Sequence, residues 1–597
     1  MAGLAPAAAQ AAEYYVSPTG SDANPGSESS PFATLQKGND AAAAGDTVWL
    51  RGGTYYGTGP ITLSKSGTSD TKRTKIWAYS GEKPVFDFSR YGTTNSAVDV
   101  PAVLVTGSYM HLKGLEIANG KVGASGDHSY SLLRTKNASN NTFELLHIHH
   151  AFGPGLFIDT GNGGNLILNC DSHDNYDKDG SQGDGQNGDG FGVHYQKTGP
   201  STIIRGCRAW MNSDDGFDFI SQEVPITIEN SFAFKNGYGT EGNGNGFKIG
   251  SSQTGIRHIV QNNVAWKNKA AGFYANHSTG GNTWYNNTSY SNGTQYNMLA
   301  STFDSSGNVA SNGVTLTGTK VHIMRNNIGF PNKNSYIDGY GVDTADNTWD
   351  LSITEASADF VSTSDTGCDG PREADGSIPT ACTFLKLKAG SPLIDKGKDV
   401  GLPFVGSSPD LGAYEYGATT SAGGAGGSTS AVGGSAGSTA GAVGSGGRSG
   451  GGGVMGVGGV SGTGGAGPGD ASAGGSNAAG GRVGTGGAAV VLDAGPAGGA
   501  SAGVSGGGGR SGGGGGVVGS GGAMAIGGTL VGAGGMGTGG SVGTEGGGAV
   551  ANGATSSSGC GCTLGSSAGH GGILLGVAGL LGLLVTWRRD RRAVGRL

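Results

Sequence analysis

Charge is scarce in this chain. Of its 597 residues only 14% are Asp, Glu, Lys or Arg, and the formal net charge is −7. There is no broad basic patch, which argues against nucleic acid as a partner. A mildly acidic protein that binds an anionic polymer needs a local device, such as a metal ion or a few placed cations. Cysteine is scarce too, with six residues, and none has the close Cys/His pairing of a zinc site. Cys368 and Cys382 bracket a short polar loop, Cys560 and Cys562 form a Cys-Gly-Cys, and Cys170 and Cys207 fall at matching positions of a repeat. Secretion with one or two disulfides fits this usage best. Cys170 and Cys207 either pair or simply pack together. Helical runs are few. The one apolar run, Gly571 to Trp587, is at the low end for a membrane span.

Glycine is abundant, at 126 residues, and most of it lies after about Gly417. Residues 417–558 are Gly/Ser/Ala low complexity, without the apolar content to bury a core, and are expected to be a disordered linker. Residues 559–597 hold Cys560-Gly561-Cys562, the apolar run read as a helix, and Arg588-Arg589-Asp590-Arg591-Arg592. The Arg cluster fits a cytoplasmic stop. The arrangement resembles the myxobacterial C-terminal sorting signal, which implies membrane contact through this segment, then surface display or processing. Residues 1–12 end in Ala9-Gln10-Ala11, like the cleavage end of a signal peptide. The expected location is secreted or cell-surface, with the folded domain at 13–416.

That domain opens with an extended piece at Tyr14 to Ser17, a helix over Thr34 to Ala44 and a strand at Asp46 to Leu50. A helix followed by short strands suits a cap on the open end of a stacked sheet. From about Lys75 to Ile328 the strands are short and Asn and Gly frequent. One seven-residue unit recurs from Asn169 onward, and its last Asn falls at 175, 212, 236, 268 and 292. The shortest spacing, from Asn212 to Asn236, is 24 residues. That period means a solenoid, here an all-β parallel β-helix. The recurring Asn reads as an internal ladder at a bend, its amide satisfying the backbone of the next coil and its backbone tolerating the left-handed region. Lys320 to Asn332 reads as a further coil, Asp365 to Lys388 as a loop around the cysteine pair, and Ser391 to Tyr416 as the closing segment.

A second unit, Gly-Phe, follows the first four ladder Asn, at Gly190-Phe191, Gly216-Phe217, Gly246-Phe247 and Gly272-Phe273. If each aromatic points inward, the next residue points outward, which gives the column Gly192, Asp218, Lys248 and Tyr274. Asp189, Asp214, Asp215 and Asp218 then converge on two neighbouring coils. Four carboxylates this close repel unless neutralised, and Ca²⁺ with oxygen ligands is the natural answer. Beside a bound cation the ammonium form of Lys248 is disfavoured, so its pKa should fall and make it a candidate general base. Together these parts suit β-elimination on a uronate polymer. A glycoside hydrolase would need a carboxylic acid pair across an open cleft instead.

The segments Cys170 to Asp177, Gly206 to Trp210, Asn212 to Asp218 and Gly244 to Lys248 resemble the family 9 polysaccharide lyases, which are pectate lyases on a right-handed parallel β-helix. The resemblance implies Ca²⁺ at Asp189, Asp214, Asp215 and Asp218, Lys248 as Brønsted base, and pectate or polygalacturonate as the acidic polysaccharide bound. One departure is visible: after Asp-Gly-Phe of the first coil, where a Lys is expected, stands Gly192-Val193-His194. His194 faces outward, and with Tyr274 and Asn276 it is a candidate sugar contact. Two alternatives stand beside this reading. One is a lyase for another uronan, such as rhamnogalacturonan or alginate. The other is a non-catalytic β-helical adhesin or glycan-binding protein. A monomer is expected.

Overall fold

The computed structural model describes residues 10–418, except 92–99, 122, 251–254, 305–308 and 332–335. The expected signal remnant up to residue 9 lies outside the described residues. So, from residue 419 onward, do the linker and the C-terminal segment with Cys560 and Cys562. No helix among the described residues is long and apolar enough to cross a membrane.

The chain winds as a parallel β-helix. Three parallel sheets of twelve, nine and ten strands run along it, and each sheet takes nearly every third strand of the chain. One coil therefore supplies one short strand to each face. A representative coil is Phe217–Ile220, Ile226–Glu229 and Phe232–Phe234. Such strands read as sequence of period two, with the inward residues forming a continuous core. Phe191, Phe217, Phe247, Phe273 and Tyr296 stack along it with centroids 5.0, 5.0, 4.9 and 5.2 Å apart. Burying each such ring stabilises by roughly 1.5–3 kcal/mol.

The Asn ladder is present at the bend. Asn175, Asn212, Asn236, Asn268 and Asn292 join in series, each amide nitrogen donating to the next amide oxygen at 2.8–2.9 Å. Left-handed backbone falls one residue earlier than expected, at Asp174, Met211, Lys235, Lys267 and Ser291, with φ between 50° and 57°. The ladder Asn serves through its side chain, and the residue before it absorbs the turn. A second ladder, Asn263, Asn287, Asn327 and Asn347, lines another bend. The bend just before Gly216 explains the Gly-Phe unit. A Cβ on Gly216 would lie 2.6 Å from Gly246 O and 2.9 Å from Asn236 Nδ2.

The helix is Leu35–Ala41, shorter than expected, with Thr34 Oγ1 accepting from Lys37 N at 3.1 Å. Leu35 is buried against the first coil, so the helix covers that end of the apolar core. Residues 360–414 return along the ten-stranded sheet and cover the outward stack Trp210, Phe234 and Trp266, with Phe384 4.7 Å from Trp266. Cys368 and Cys382 are disulfide-bonded there. Asp171 pins this segment down, accepting from Arg208 at 2.7 and 2.8 Å and from Arg372 at 2.7 Å. Cys170 and Cys207 are free thiols: Cys170 N donates to Cys207 Sγ at 3.4 Å, so they pack without pairing.

Candidate active site

The nine-stranded sheet carries the site. Its strands Phe191–His194, Phe217–Ile220, Phe247–Ile249 and Ala271–Tyr274 are in register, pairing Gly192 with Asp218, Asp218 with Lys248, and Lys248 with Tyr274. The outward column expected from the sequence is therefore the column observed. At its foot Phe157 pairs with Gly192. A Cβ on Gly192 would lie 2.6 Å from the Phe157 ring. The missing Lys is thus explained by space: an aromatic from the previous coil occupies it.

The residues before each Gly form a second ladder of contacts. Asp189 Oδ1 accepts from Asp215 N at 3.0 Å, Asp215 Oδ1 from Asn245 N at 2.6 Å, and Asn245 Oδ1 from Ala271 N at 3.1 Å. Asn245 Nδ2 adds a bond to Asp215 Oδ1 at 2.9 Å. These bonds occupy one oxygen of Asp189 and one of Asp215, and they fix both carboxylates. Oxygens of Asp189, Asp215 and Asp218 lie within 4.8 Å of one another, all three residues buried. Asp214 is also buried, and its Oδ1 accepts from Asn243 N. Asp215 Oδ2 and Asp218 Oδ1 are buried without an aligned hydrogen bond. An all-oxygen set, with these two oxygens facing the Lys248 ammonium, fits a hard divalent cation.

Lys248 Nζ faces the same oxygens, 3.0 Å from Asp215 Oδ2 and 3.5 Å from Asp218 Oδ1. Burial acts to lower the Lys248 pKa, but Asp215, Asp218, Asp214 and Asp189 outweigh it and hold the ammonium well above its ordinary value. The fall expected from the sequence is therefore not what the bare carboxylates produce, because it presupposes a cation among them. Burial, then mutual repulsion, raises Asp189 and Asp214 well above the usual range. Burial also raises Asp215, with Lys248 opposing. At Asp218 burial pushes upward, yet the charge of Lys248 and the bond to His194 prevail and lower it.

His194 is outward but not free: its Nε2 lies 3.3 Å from Asp218 Oδ2, and its ring meets Phe157 edge-on at 4.7 Å. Tyr274 stands beside Lys248, with Oη 3.1 Å from His277 Nε2, and burial pushes its phenol up to about 12. Asn276 lies past the end of that strand, off the column, its amide packed over Gly250.

A family model described as "Pel9A-like, right handed beta helix region" matches residues 14–312. Pectate lyase L of Dickeya dadantii (strain 3937) is 36% identical over 415 residues, 67% of this chain and 90% of that protein. This chain is a family 9 polysaccharide lyase. The lyase is also 33% identical over 414 residues to pectate lyase L of Paenibacillus polymyxa (strain SC2), 66% of this chain and 85% of the relative. Its fold matches the crystal structure of pectate lyase Pel9A with a TM-score of 0.57 at 32% identity, covering 68% of this chain and 97% of that one. A rhamnogalacturonan lyase structure matches with a TM-score of 0.56 at 30% identity, covering 63% and 96%. Membership in this family decides against the non-catalytic adhesin reading.

Four residues that support the lyase site do not stand out in the sequence pattern. Asn243 and Asn245 hold the carboxylates of Asp214 and Asp215, and Asn245 stood in the aligned position before Gly246. Phe157 fills the space above Gly192, and no repeat pattern signals it. His277 links Tyr274 to Ser301 Oγ, 2.6 Å from its Nδ1.

Proposed function

We propose that the lyase cleaves pectate by β-elimination, with Lys248 as the Brønsted base and Ca²⁺ as the required cation. The observation that carries this reading is the placement of Lys248 Nζ against two buried carboxylates, 3.0 Å from Asp215 Oδ2 and 3.5 Å from Asp218 Oδ1, in register with Asp218. Asp189, Asp215 and Asp218, whose oxygens lie within 4.8 Å of one another, would hold the cation together with Asp214. When bound, Ca²⁺ supplies neutralisation of a uronate carboxylate and of the charge that builds up as C5 loses its proton.

Lys248 accepts that proton at Nζ. The C4–C5 double bond forms, the C4–O4 bond breaks, and solvent protonates the departing oxygen. The base must be neutral to act. Four bare carboxylates favour its ammonium form, so their charge has to be compensated before turnover. Asn243, Asn245 and the bond from Asp215 N keep the carboxylates in place throughout. Tyr274, next to Lys248 in the column, and His194, beside Asp218, are proposed sugar contacts, with Asn276 off the column.

Incubation with polygalacturonate and Ca²⁺ at alkaline pH, followed by ultraviolet absorbance of the unsaturated product, tests this. No product with or without Ca²⁺ would sink the pectate reading, and retained activity in chelator would sink the metal role. A rhamnogalacturonan backbone is the second reading, supported by the 30% identical rhamnogalacturonan lyase. Faster turnover on that polymer than on polygalacturonate would select it. We also propose an extracellular location, because the Cys368–Cys382 disulfide suits an oxidising compartment.

A further inference from the structure

Away from the acidic column, the ten-stranded sheet carries a cluster that the lyase chemistry does not use. Strands Glu116–Ala118, His147–His149 and Asp171–His173 lie side by side, pairing Glu116 with His147 and His149 with His173. Their alternate side chains leave the sheet on its outer face. Glu116 Oε2 lies 3.6 Å from His147 Nδ1, and Glu116 Oε1 lies 3.4 Å from His149 Nε2. Both separations are long for a charge-assisted hydrogen bond, which is usually about 2.7–2.9 Å. Each runs to a different Glu116 oxygen and is close to the edge, about 3.3 Å, of a tetrahedron whose ligands stand about 2.0–2.1 Å from a central ion, and one ligand atom from each of the three residues lies within 4.8 Å of the others.

The surrounding hydrogen bonds set the lone pairs. His173 Nδ1 donates to Asp174 Oδ2 at 2.6 Å, so in the neutral ring His173 Nε2 is an acceptor. His147 Nε2 lies 2.7 Å from that atom and must donate, which leaves the lone pair of His147 Nδ1 turned towards Glu116. His149 Nδ1 lies 2.7 Å from His150 Nδ1, and in the tautomer that donates there His149 Nε2 turns a lone pair towards Glu116 Oε1. In these tautomers two imidazole lone pairs and a carboxylate converge, their ligand atoms within 4.8 Å of one another. A cation among them makes that contact favourable. Oriented second partners of this kind are what metal-ligating histidines carry.

We propose that Glu116, His147 and His149 form a second metal site, for a divalent transition ion of the Zn²⁺ type. Imidazole donors select against Ca²⁺, which takes oxygen ligands. Side-chain exposures of 44% for His147 and 31% for Glu116 leave the remaining position to solvent. The ligands come from two successive coils and the outer partner His173 from a third, so the ion acts as a staple across the solenoid. The proposal does not rest on the identity of the polysaccharide.

The test uses the full-length protein with Ca²⁺ in excess, to saturate the acidic column. ZnCl₂ is added and followed by calorimetry and by thermal unfolding, and CoCl₂ by its visible absorption. Wild type should bind one equivalent of Zn²⁺, unfold at a higher temperature with it, and give the intense Co²⁺ bands of a four-coordinate site. His147→Asn/His149→Asn should lower the affinity at least 100-fold and abolish the thermal shift and the bands, with unchanged lyase activity in Ca²⁺. His173→Ala should weaken binding by roughly 10–100-fold, because it orients His147 without touching the ion. If the double variant unfolds without metal, Glu116→Gln replaces it as the near-isosteric test. Absence of Zn²⁺ binding by wild type would overturn the proposal, and so would binding that these variants leave unchanged.

Discussion

Asn236→Ala isolates what the inner ladder contributes to the site. Asn236 is 2% exposed, and its amide makes four contacts. Its Oδ1 accepts from Asn212 N at 3.2 Å and Asn212 Nδ2 at 2.9 Å, while its Nδ2 donates to Ala209 O at 3.2 Å and Asn268 Oδ1 at 2.9 Å. Two of these partners are compensated after truncation: Asn212 Nδ2 still reaches Ser172 O at 3.3 Å, and Asn268 Oδ1 still accepts from Asn236 N at 3.1 Å. Asn212 N loses this acceptor outright, and Ala209 O loses a donor. At about 1–3 kcal/mol for each of the two buried groups left short, the expected loss is roughly 2–6 kcal/mol. The damage falls next to Asp214 and Asp215, because Asn212 opens their turn. Urea unfolding of the Ca²⁺-loaded protein, with circular dichroism as the probe, measures the loss, and polygalacturonate turnover well below the unfolding temperature should fall with it. A loss below about 1 kcal/mol would refute the ladder as a stabilising element.

Three further outcomes follow from the same structure. In chelator the protein should be more stable in mild acid than at neutral pH. Asp189, Asp214 and Asp215 have raised pKa values when folded, so their stabilising contribution is complete below the unfolded carboxylate range and is lost as pH rises through the folded values. Thermal scans with and without Ca²⁺ from pH 5 to 8 check this, and a flat chelated profile would count against it. Arg372→Met should cost roughly 1.5–3 kcal/mol and expose residues 360–414 to protease, since Arg208 alone would then hold Asp171 against that segment. Limited proteolysis at the wild-type rate would contradict that role. Gly192→Lys, which places the expected Lys in the column, should lower rather than raise turnover, because its Cβ would meet Phe157 at 2.6 Å.

The part of the fold that could be read from sequence is the part that repeats. The Asn residues at 175, 212, 236, 268 and 292 set the register, and the register alone put Asp218 beside Lys248. The outward column followed from strand alternation. What stayed hidden lacks a period. The left-handed turn residues Asp174, Met211, Lys235, Lys267 and Ser291 share no chemistry, because the winding imposes their conformation. The second ladder is masked where Cys170, Cys207 and Ser231 hold its bend in earlier coils. Arg372 reaches Asp171 across 201 positions, a distance no local pattern spans. The charge state of Lys248 depends on whether the carboxylates around it are neutralised, which their spacing does not reveal.

The central claim is that Lys248 removes the proton. Its most direct measurement is the initial rate of unsaturated product from polygalacturonate in saturating Ca²⁺, comparing wild type with Lys248→Ala and with Ca²⁺ binding verified for both by calorimetry. Loss of a general base costs roughly 10²–10⁴-fold, so kcat should fall by that factor while Ca²⁺ remains bound at Asp189, Asp215 and Asp218. A Lys248→Ala rate within about tenfold of wild type would contradict the assignment.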